Sequence, residues 1–349
     1  MALKTIACII TNSSSYYSVS YIFNMENFKL SYGYPNLSIS EDDIVKLRSY
    51  TIVNCVTNAC FSFTAAFGNS VIMFVIWRTP ALHSPSLTLL FGLALTDFFV
   101  GSLTQPLQVV WSVFYLGTEK GGPSALKDAF DVLSVILSSA SFLTATIISV
   151  DRYLVFHLHM RYPIIVTNRK VIVIIALSWL MSSLLGFVWT QSTSVYYRAA
   201  ILSFAISLFV VVLMYSRIYS VVKRHQTQIN TQAQVQTRRH VSSQMHFARW
   251  TRSAINTFYV CFFLFLFYFP YICTAIVIQL ADYSVNKHIA LQFTGTITFI
   301  NSSLNPLVYF WRVAEIRIAI KDTFKCRCPV RGCETQTIQR ESVTGTSRG

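Results

Sequence analysis

VIVIIALSWLMSSLLGFVWTQSTSVYY (Val171–Tyr197) runs for 27 residues without an Asp, Glu, Lys or Arg. A surface helix of a soluble protein is apolar on one face and charged on the other. This run has no charged face. At about 1.5 Å per residue it is long enough to cross a hydrocarbon layer roughly 30 Å thick. Ser49–Trp77 and Ser253–Ala281 are equally free of charge. Working outward from these three, seven apolar stretches can be read: Thr51–Trp77, Ser86–Trp111, Asp128–Tyr153, Lys170–Thr190, Arg198–Val222, Ser253–Leu280 and Lys287–Trp311. The expected fold is an all-α membrane protein, a seven-transmembrane helix bundle. The chain is 53% hydrophobic and only 12% charged, with a mean hydropathy of +0.50. Soluble domains carry about twice that charge.

The remaining segments organise around the bundle. Residues 1–50 form an extracellular N-terminal segment and 51–311 the seven-transmembrane domain. Residues 312–324 form a short amphipathic cytoplasmic helix, and 325–349 a cytoplasmic tail. No room is left for a separate catalytic domain, so an enzyme is not expected. Charge gives the orientation. With Met1 outside, the cytoplasmic segments hold 20 of the 28 Lys and Arg and 5 of the 14 acids. The outer segments hold 8 of each sign, and Asp97 lies within the second span. That is the positive-inside pattern. A soluble nucleic-acid binder could share the pI near 9.5, but it would not sort its charge between alternate loops. No nucleic-acid partner is expected. Asn12-Ser13-Ser14 and Asn36-Leu37-Ser38 are glycosylation sequons on the outer side. Met1-Ala2-Leu3-Lys4 is too brief for a signal peptide, so the first span is expected to act as the anchor.

Polar groups inside apolar spans are costly and usually functional. Asp97 stands out, with Asn69, Ser141, Asn301, Ser302 and Asn305 as plausible partners. The plainer alternative is that these groups only fix helix packing by hydrogen bonds. Phe310–Phe324 alternates basic and apolar residues, which suits a helix lying on the inner leaflet. Cys326, Cys328 and Cys333 then become palmitoylation candidates. A zinc site is the rival there, though no fourth ligand is near.

The pattern from about Thr51 to Phe324 resembles the rhodopsin-like G-protein-coupled receptors. Its marks are Gly68-Asn69, Leu93–Asp97, Asp151-Arg152-Tyr153, Trp179, Tyr215, Pro270 and Asn305-Pro306-Leu307-Val308-Tyr309, in order and each at its proper depth. The resemblance implies an extracellular ligand and a heterotrimeric G protein as partners. It implies that Arg152, in the triplet Asp151-Arg152-Tyr153, meets the G protein when the helices open. Tyr215 and Tyr309 would then swing inward to hold the open form. Pro270 and Pro306 would be the kinks about which inner helix ends move, or else static bends. Tyr268 replaces the tryptophan that relatives use as a rotamer switch, adding a hydroxyl that needs a partner. It also implies an allosteric sodium ion at Asp97, Ser141, Asn301, Ser302 and Asn305. Oxygen ligands around one carboxylate suit a hard cation. No other cofactor is expected.

Several features depart from the common pattern. The chain has eight cysteines but none between Cys60 and Cys261, and Lys127 stands where the third-helix cysteine should be. The usual outer disulfide cannot form. The second outer loop is only about Gln191–Tyr197, and Ser207 replaces the fifth-helix proline. Together these look most like the melanocortin, adenosine and cannabinoid branch, as does Met160-Arg161-Tyr162. Amine receptors hold a cation with an aspartate where this chain has Ser134, and opsins need a lysine where it has Phe299. A typical biogenic amine or retinal is therefore not expected. The ligand is a peptide or small molecule. A melanocortin-like calcium site keeps only Asp131 of its three acids, with Leu107 and Lys127 in place of the others and Asp128 adjacent.

By helical depth and analogy the ligand pocket is Gln105, Gln108, Asp131, Ser134, Tyr268, Tyr271, Gln292 and Gly295. Asp131 either binds a cationic group or pairs with Lys127 one turn away. A seven-helix transporter or channel is the competing class, but it would need charged groups along a pathway and only Asp97 is deep. An intramembrane protease would need a Ser-His pair or two aspartates in the bilayer. Basic ends of the inner loop, Lys223-Arg224 and Arg249–Arg252, suit anionic membrane lipids and a G protein. Ser342, Thr344, Thr346 and Ser347 are candidate sites for receptor kinases, with arrestin to follow. Trp250 occupies the place of the acid that latches the triplet's arginine in many relatives. Basal signalling is the expected consequence.

Overall fold

The computed structural model describes residues 40–117, 123–158, 161–232, 238–280 and 284–325, with the side chains of all but 225–250, 252–253 and 324–325. Asn12, Asn36, Cys326, Cys328, Cys333 and the side chain of Trp250 lie outside the described residues. Within them every regular element is helical.

The first helix is Glu41–Arg78. The second span is composite: Pro85–Phe99, a π turn at Val100–Thr104, then Gln105–Gly117. The third is Ser124–Leu158, followed by the short helix Tyr162–Ile165. The fourth is Asn168–Gln191, the fifth Thr193–Gln232, the sixth Arg238–Leu280 and the seventh Val285–Arg312. A last helix, Ala314–Lys325, follows. The first helix begins ten residues before the apolar run does. Ser40 caps it through a reciprocal box with Asp43, and Glu41, Asp42 and Asp43 meet the positive end of its dipole. The hydrogen bonds from Ser40 hold the Asp43 carboxyl below its ordinary range.

Six of these helices are long and apolar enough to cross a membrane. Val285–Arg312 is not among them, for a physical reason. It buries Thr294, Thr296, Thr298, Asn301, Ser302, Ser303 and Asn305 inside the bundle. These polar side chains lower its hydropathy but face other helices rather than lipid. The outward surface shows the reverse pattern, with Phe63, Leu180, Phe209, Phe269 and Leu307 exposed. A protein whose apolar side chains point out and whose polar side chains point in is built for a hydrocarbon solvent.

Two glycines set helix spacing. A Cβ on Gly68 would lie 2.9 Å from Cγ of Pro306, so the first and seventh helices touch there. A Cβ on Gly101 would lie 2.5 Å from the backbone nitrogen of Ala66 and 2.7 Å from Cβ of Ala65. Gly101 sits in the π turn, and Ser62 Oγ donates to its carbonyl at 2.7 Å. The extra residue in that turn rotates the outer half of the second span relative to its inner half.

The second outer loop is shorter than the apolar spacing predicts. The fourth helix ends at Gln191 and the fifth begins at Thr193, so Thr193–Tyr197 is helix rather than loop. Cys55, Cys60, Cys261 and Cys273 are free thiols, and no disulfide joins the described residues. The last helix begins at Ala314, two residues later than expected, and buries Ile316 fully and Ala319 nearly so.

Candidate functional site

Three polar layers are stacked along the bundle axis. The outer layer is a cavity of about 270 Å³. Gln108, Asp131, Ser134, Tyr268, Tyr271, Gln292 and Gly295 line it. Gln105 does not. It is fully buried and donates at 3.4 Å to Oδ1 of Asn58 on the first helix. The π turn accounts for the difference, because depth counted along a regular helix assigns the wrong face beyond residue 100. Gln105 belongs instead to an uncharged cluster of Asn54, Asn58 and Thr296. Asn58 Nδ2 donates to Asn54 Oδ1 at 2.7 Å, and Asn54 Nδ2 donates to Thr296 Oγ1 at 2.6 Å. Asn54 also bonds the Tyr50 hydroxyl. Gln108 joins at 3.4 Å while still lining the cavity.

Asp131 and Lys127 form an ion pair at 2.7 Å, both mostly buried. Asp128 is exposed, and Leu107 packs with Phe130 and Phe299. Tyr196 and Tyr197 also line the cavity because the fifth helix begins early. The Tyr268 hydroxyl finds its partner in the carbonyl of Ser138, at 3.1 Å, so this ring ties the sixth helix to the third. It also leans on Phe142, 5.5 Å between ring centres.

The middle layer is Asp97, which is completely buried. Ser302 Oγ donates to its Oδ1 at 2.7 Å and Asn305 Nδ2 to its Oδ2 at 2.6 Å. Ser141, also buried, lies beside this carboxylate. Asn69 donates to the carbonyl of Ser302 at 3.0 Å, joining the first helix to the seventh. Asn301 Oδ1 is buried with no hydrogen-bond partner. A carboxylate, two hydroxyls and a spare amide oxygen are the donor set of a hard alkali cation. The residues fit sodium.

The inner layer is the triplet. Arg152 pairs with Asp151 at 2.5 Å. Asp151 also accepts from Ser86 Oγ at 2.8 Å and from the Tyr162 hydroxyl at 2.6 Å. Burial, and then the adjacent carboxylate, hold the Tyr162 phenol above its usual range, so it stays a donor. Sequence reading missed both partners. Ser86 is remote in the chain, and Tyr162 lies beyond the end of the third helix at Leu158, so helical periodicity from Asp151 does not reach it. Tyr153 stacks on His157, away from Asp151. Tyr309 is fully buried, and the hydroxyls of Tyr309 and Tyr215 are buried without a hydrogen-bond partner. Tyr215 meets Phe258 edge-on at 5.0 Å. At the inner end of the sixth helix, Asn256 Nδ2 donates to the Arg312 carbonyl at 2.6 Å, and the Arg312 guanidinium lies 4.1 Å from the Tyr259 ring centre. Pro270 and Pro306 both sit inside continuous helices.

Comparison with known proteins decides the family. The family described as 7 transmembrane receptor (rhodopsin family) matches residues 68–197 and 186–309. The chain belongs to that family. The human histamine H2 receptor is 24% identical over 311 residues, covering 80% of this receptor and 81% of its own length. The octopamine receptor beta-1R of Drosophila melanogaster is 24% identical over 319 residues, 79% of this receptor and 62% of its own length. Sheep adenosine receptor A3 is 32% identical over 151 residues, 42% of this receptor and 46% of its own length. These relatives are receptors rather than enzymes. The protein is therefore a multi-pass G-protein-coupled receptor of the rhodopsin-like class, and the melanocortin features remain a resemblance.

Proposed function

We propose that this receptor lies in the plasma membrane with its N-terminus outside, binds an extracellular ligand in the outer cavity, and drives nucleotide exchange on a heterotrimeric G protein. The observation that carries this is the inner layer. Arg152 is restrained by Asp151, while two buried tyrosine hydroxyls next to the bundle axis are unsatisfied. An unpaired buried hydroxyl costs about 1–3 kcal/mol. A rearrangement that pairs Tyr215 with Tyr309 recovers that cost and frees Arg152 for a partner protein. Lipids meet the basic inner ends. Glycans on Asn12 and Asn36, lipidation of Cys326, Cys328 and Cys333, and kinase and arrestin contacts with the tail belong to the same reading.

The ligand is not a typical biogenic amine, although amine receptors are among the relatives. Ser134 lines the cavity where those receptors are expected to carry their aspartate, and the nearest acid, Asp131, is already paired. The test is GTPγS uptake by purified heterotrimeric G proteins added to membranes bearing the receptor. Uptake above that of receptor-free membranes is expected even without ligand. No uptake with any G-protein class, alongside receptor-dependent ion flux, would favour a channel or transporter.

Sodium is proposed as the allosteric ion of the middle layer. Asp97, Ser141, Ser302, Asn305 and Asn301 would hold it. It would supply a positive charge that offsets the buried carboxylate. Raising sodium from zero to about 100 mM, with potassium held as the balancing salt, should lower basal GTPγS uptake several-fold. Asp97→Asn keeps the side-chain volume but removes the charge, so the variant's uptake should no longer depend on sodium. An unchanged sodium response in that variant rules the site out.

A further inference from the structure

The sixth helix carries Pro270 in its interior. An internal proline removes one backbone hydrogen bond and leaves the helix free to bend there. Asn256 lies fourteen residues inward of that point, roughly 21 Å along the axis. A swing of about 10° at the proline displaces a group at that distance by about 4 Å, more than a hydrogen bond can stretch. Ties nearer the pivot move less. Those are Tyr268 to the Ser138 carbonyl at 3.1 Å, and Cys261 Sγ with Ser149 Oγ at 3.0 Å. Contacts at the inner end therefore have the most leverage on the swing.

At that end the sixth helix grips the end of the seventh. Asn256 Nδ2 donates to the Arg312 carbonyl at 2.6 Å. Arg312 is the last residue of Val285–Arg312, so its carbonyl is one of those a helix end leaves without a donor of its own. Asn256 caps it from outside. The side chain of the same arginine is held as well. Its guanidinium lies 4.1 Å from the Tyr259 ring centre, with Trp311 of its own helix at the same distance. Val260 completes the contact in the buried cluster that contains Tyr309 and Ile316. Asn256, Tyr259 and Val260 stand at positions i, i+3 and i+4, which form one stripe on a helix. That stripe meets the junction of the seventh helix and the last one.

We propose that this stripe is an inhibitory latch. Asn256 and Tyr259 hold the inner end of the sixth helix against Arg312, and releasing them raises signalling with no ligand bound. This rests on the reading of the chain as a receptor that couples to a G protein by opening its inner side. The latch needs no acid on the sixth helix, since an amide serves the carbonyl and a ring serves the cation. A neutral hydrogen bond of this kind shifts an equilibrium roughly 2- to 12-fold. A cation over an aromatic ring near the surface shifts it roughly 2- to 5-fold. Each contact is thus strong enough to bias the receptor and weak enough to be broken when it opens.

The test is ligand-free GTPγS uptake by added heterotrimeric G proteins, divided by the full-length receptor at the cell surface as read by an N-terminal tag. Asn256→Leu keeps the bulk and removes the donor, and should raise uptake per receptor roughly 2- to 12-fold. Asn256→Ala, a smaller change, covers the case that leucine does not fit. Tyr259→Leu keeps an apolar side chain but removes the ring, and should raise uptake roughly 2- to 5-fold. Arg312→Gln is the discriminating background, because it removes the cation and keeps the backbone carbonyl. In it, Asn256→Leu should still raise uptake, whereas Tyr259→Leu should add nothing further. A role in folding alone would lower the surface receptor and leave uptake per receptor unchanged. Uptake per receptor that is unchanged or lower in the Asn256 and Tyr259 variants overturns the latch. An undiminished Tyr259→Leu effect in the Arg312→Gln background overturns the assignment of Tyr259 to that cation. The parent separates the two levels of the reading. A parent that drives uptake which no variant raises overturns the latch alone. Silence of the parent and of every variant with all G-protein classes overturns the coupling reading and the latch with it.

Discussion

Arg152→Ala should reduce receptor-driven GTPγS uptake to the level of receptor-free membranes while leaving most of the protein folded. The two halves of this expectation have separate causes. Asp151 would lose one partner at 2.5 Å but keep the hydroxyls of Ser86 at 2.8 Å and Tyr162 at 2.6 Å. A carboxylate with two remaining donors is not stranded, so the stability cost should stay near the ~1–3 kcal/mol of one charge-assisted hydrogen bond. Coupling is different. If Arg152 is the contact made with the G protein, no neighbouring side chain replaces a planar five-donor guanidinium. Surface expression of the variant, read by an antibody to an N-terminal tag, separates folding from coupling. Full expression with undiminished uptake would remove Arg152 from the mechanism. Tyr162→Phe is the milder companion: it takes one donor from Asp151 and should leave coupling measurable.

The second large effect is structural. Gly101→Leu should sharply reduce the folded receptor, with a fall in Tm of several degrees or outright loss from the cell surface. Its Cβ alone would sit 2.5 Å from the Ala66 nitrogen and 2.7 Å from the Ala65 Cβ. Those atoms belong to backbone and to the stub of a side chain, so no rotamer change can yield. The helices must separate, which would also stretch the 2.7 Å bond from Ser62 to the Gly101 carbonyl. Overpacking of this kind costs about 1–3 kcal/mol and more where backbone has to move. Gly117→Leu is the control, since nothing among the described residues lies within 4 Å of a Cβ there. Equal Tm values for the two variants would mean that the first and second helices are not in tight contact at the π turn.

The amino-acid sequence by itself determined the solvent and the class. Charge-free runs such as Val171–Tyr197 permit only a helix in hydrocarbon, since period, length and absence of charge are local properties. The motifs around Asp97, Arg152 and Asn305 were likewise legible, because each is a residue type at a fixed depth in its own helix. What the sequence could not contain was rotation and meeting. The π turn at Val100–Thr104 changes which face of the second span looks inward, and so Gln105 turns to Asn58 instead of the cavity. The step from Asp151 to Tyr162 crosses a helix end, and Ser86 arrives from another helix altogether. The charge-free run itself proved continuous with the fifth helix after a single break at Ser192, which brings Tyr196 and Tyr197 to the cavity wall. Hydropathy ranks residues by composition. Only tertiary structure decides which of them face lipid, which face one another, and that Lys127 and Asp131 enter the outer cavity as a pair.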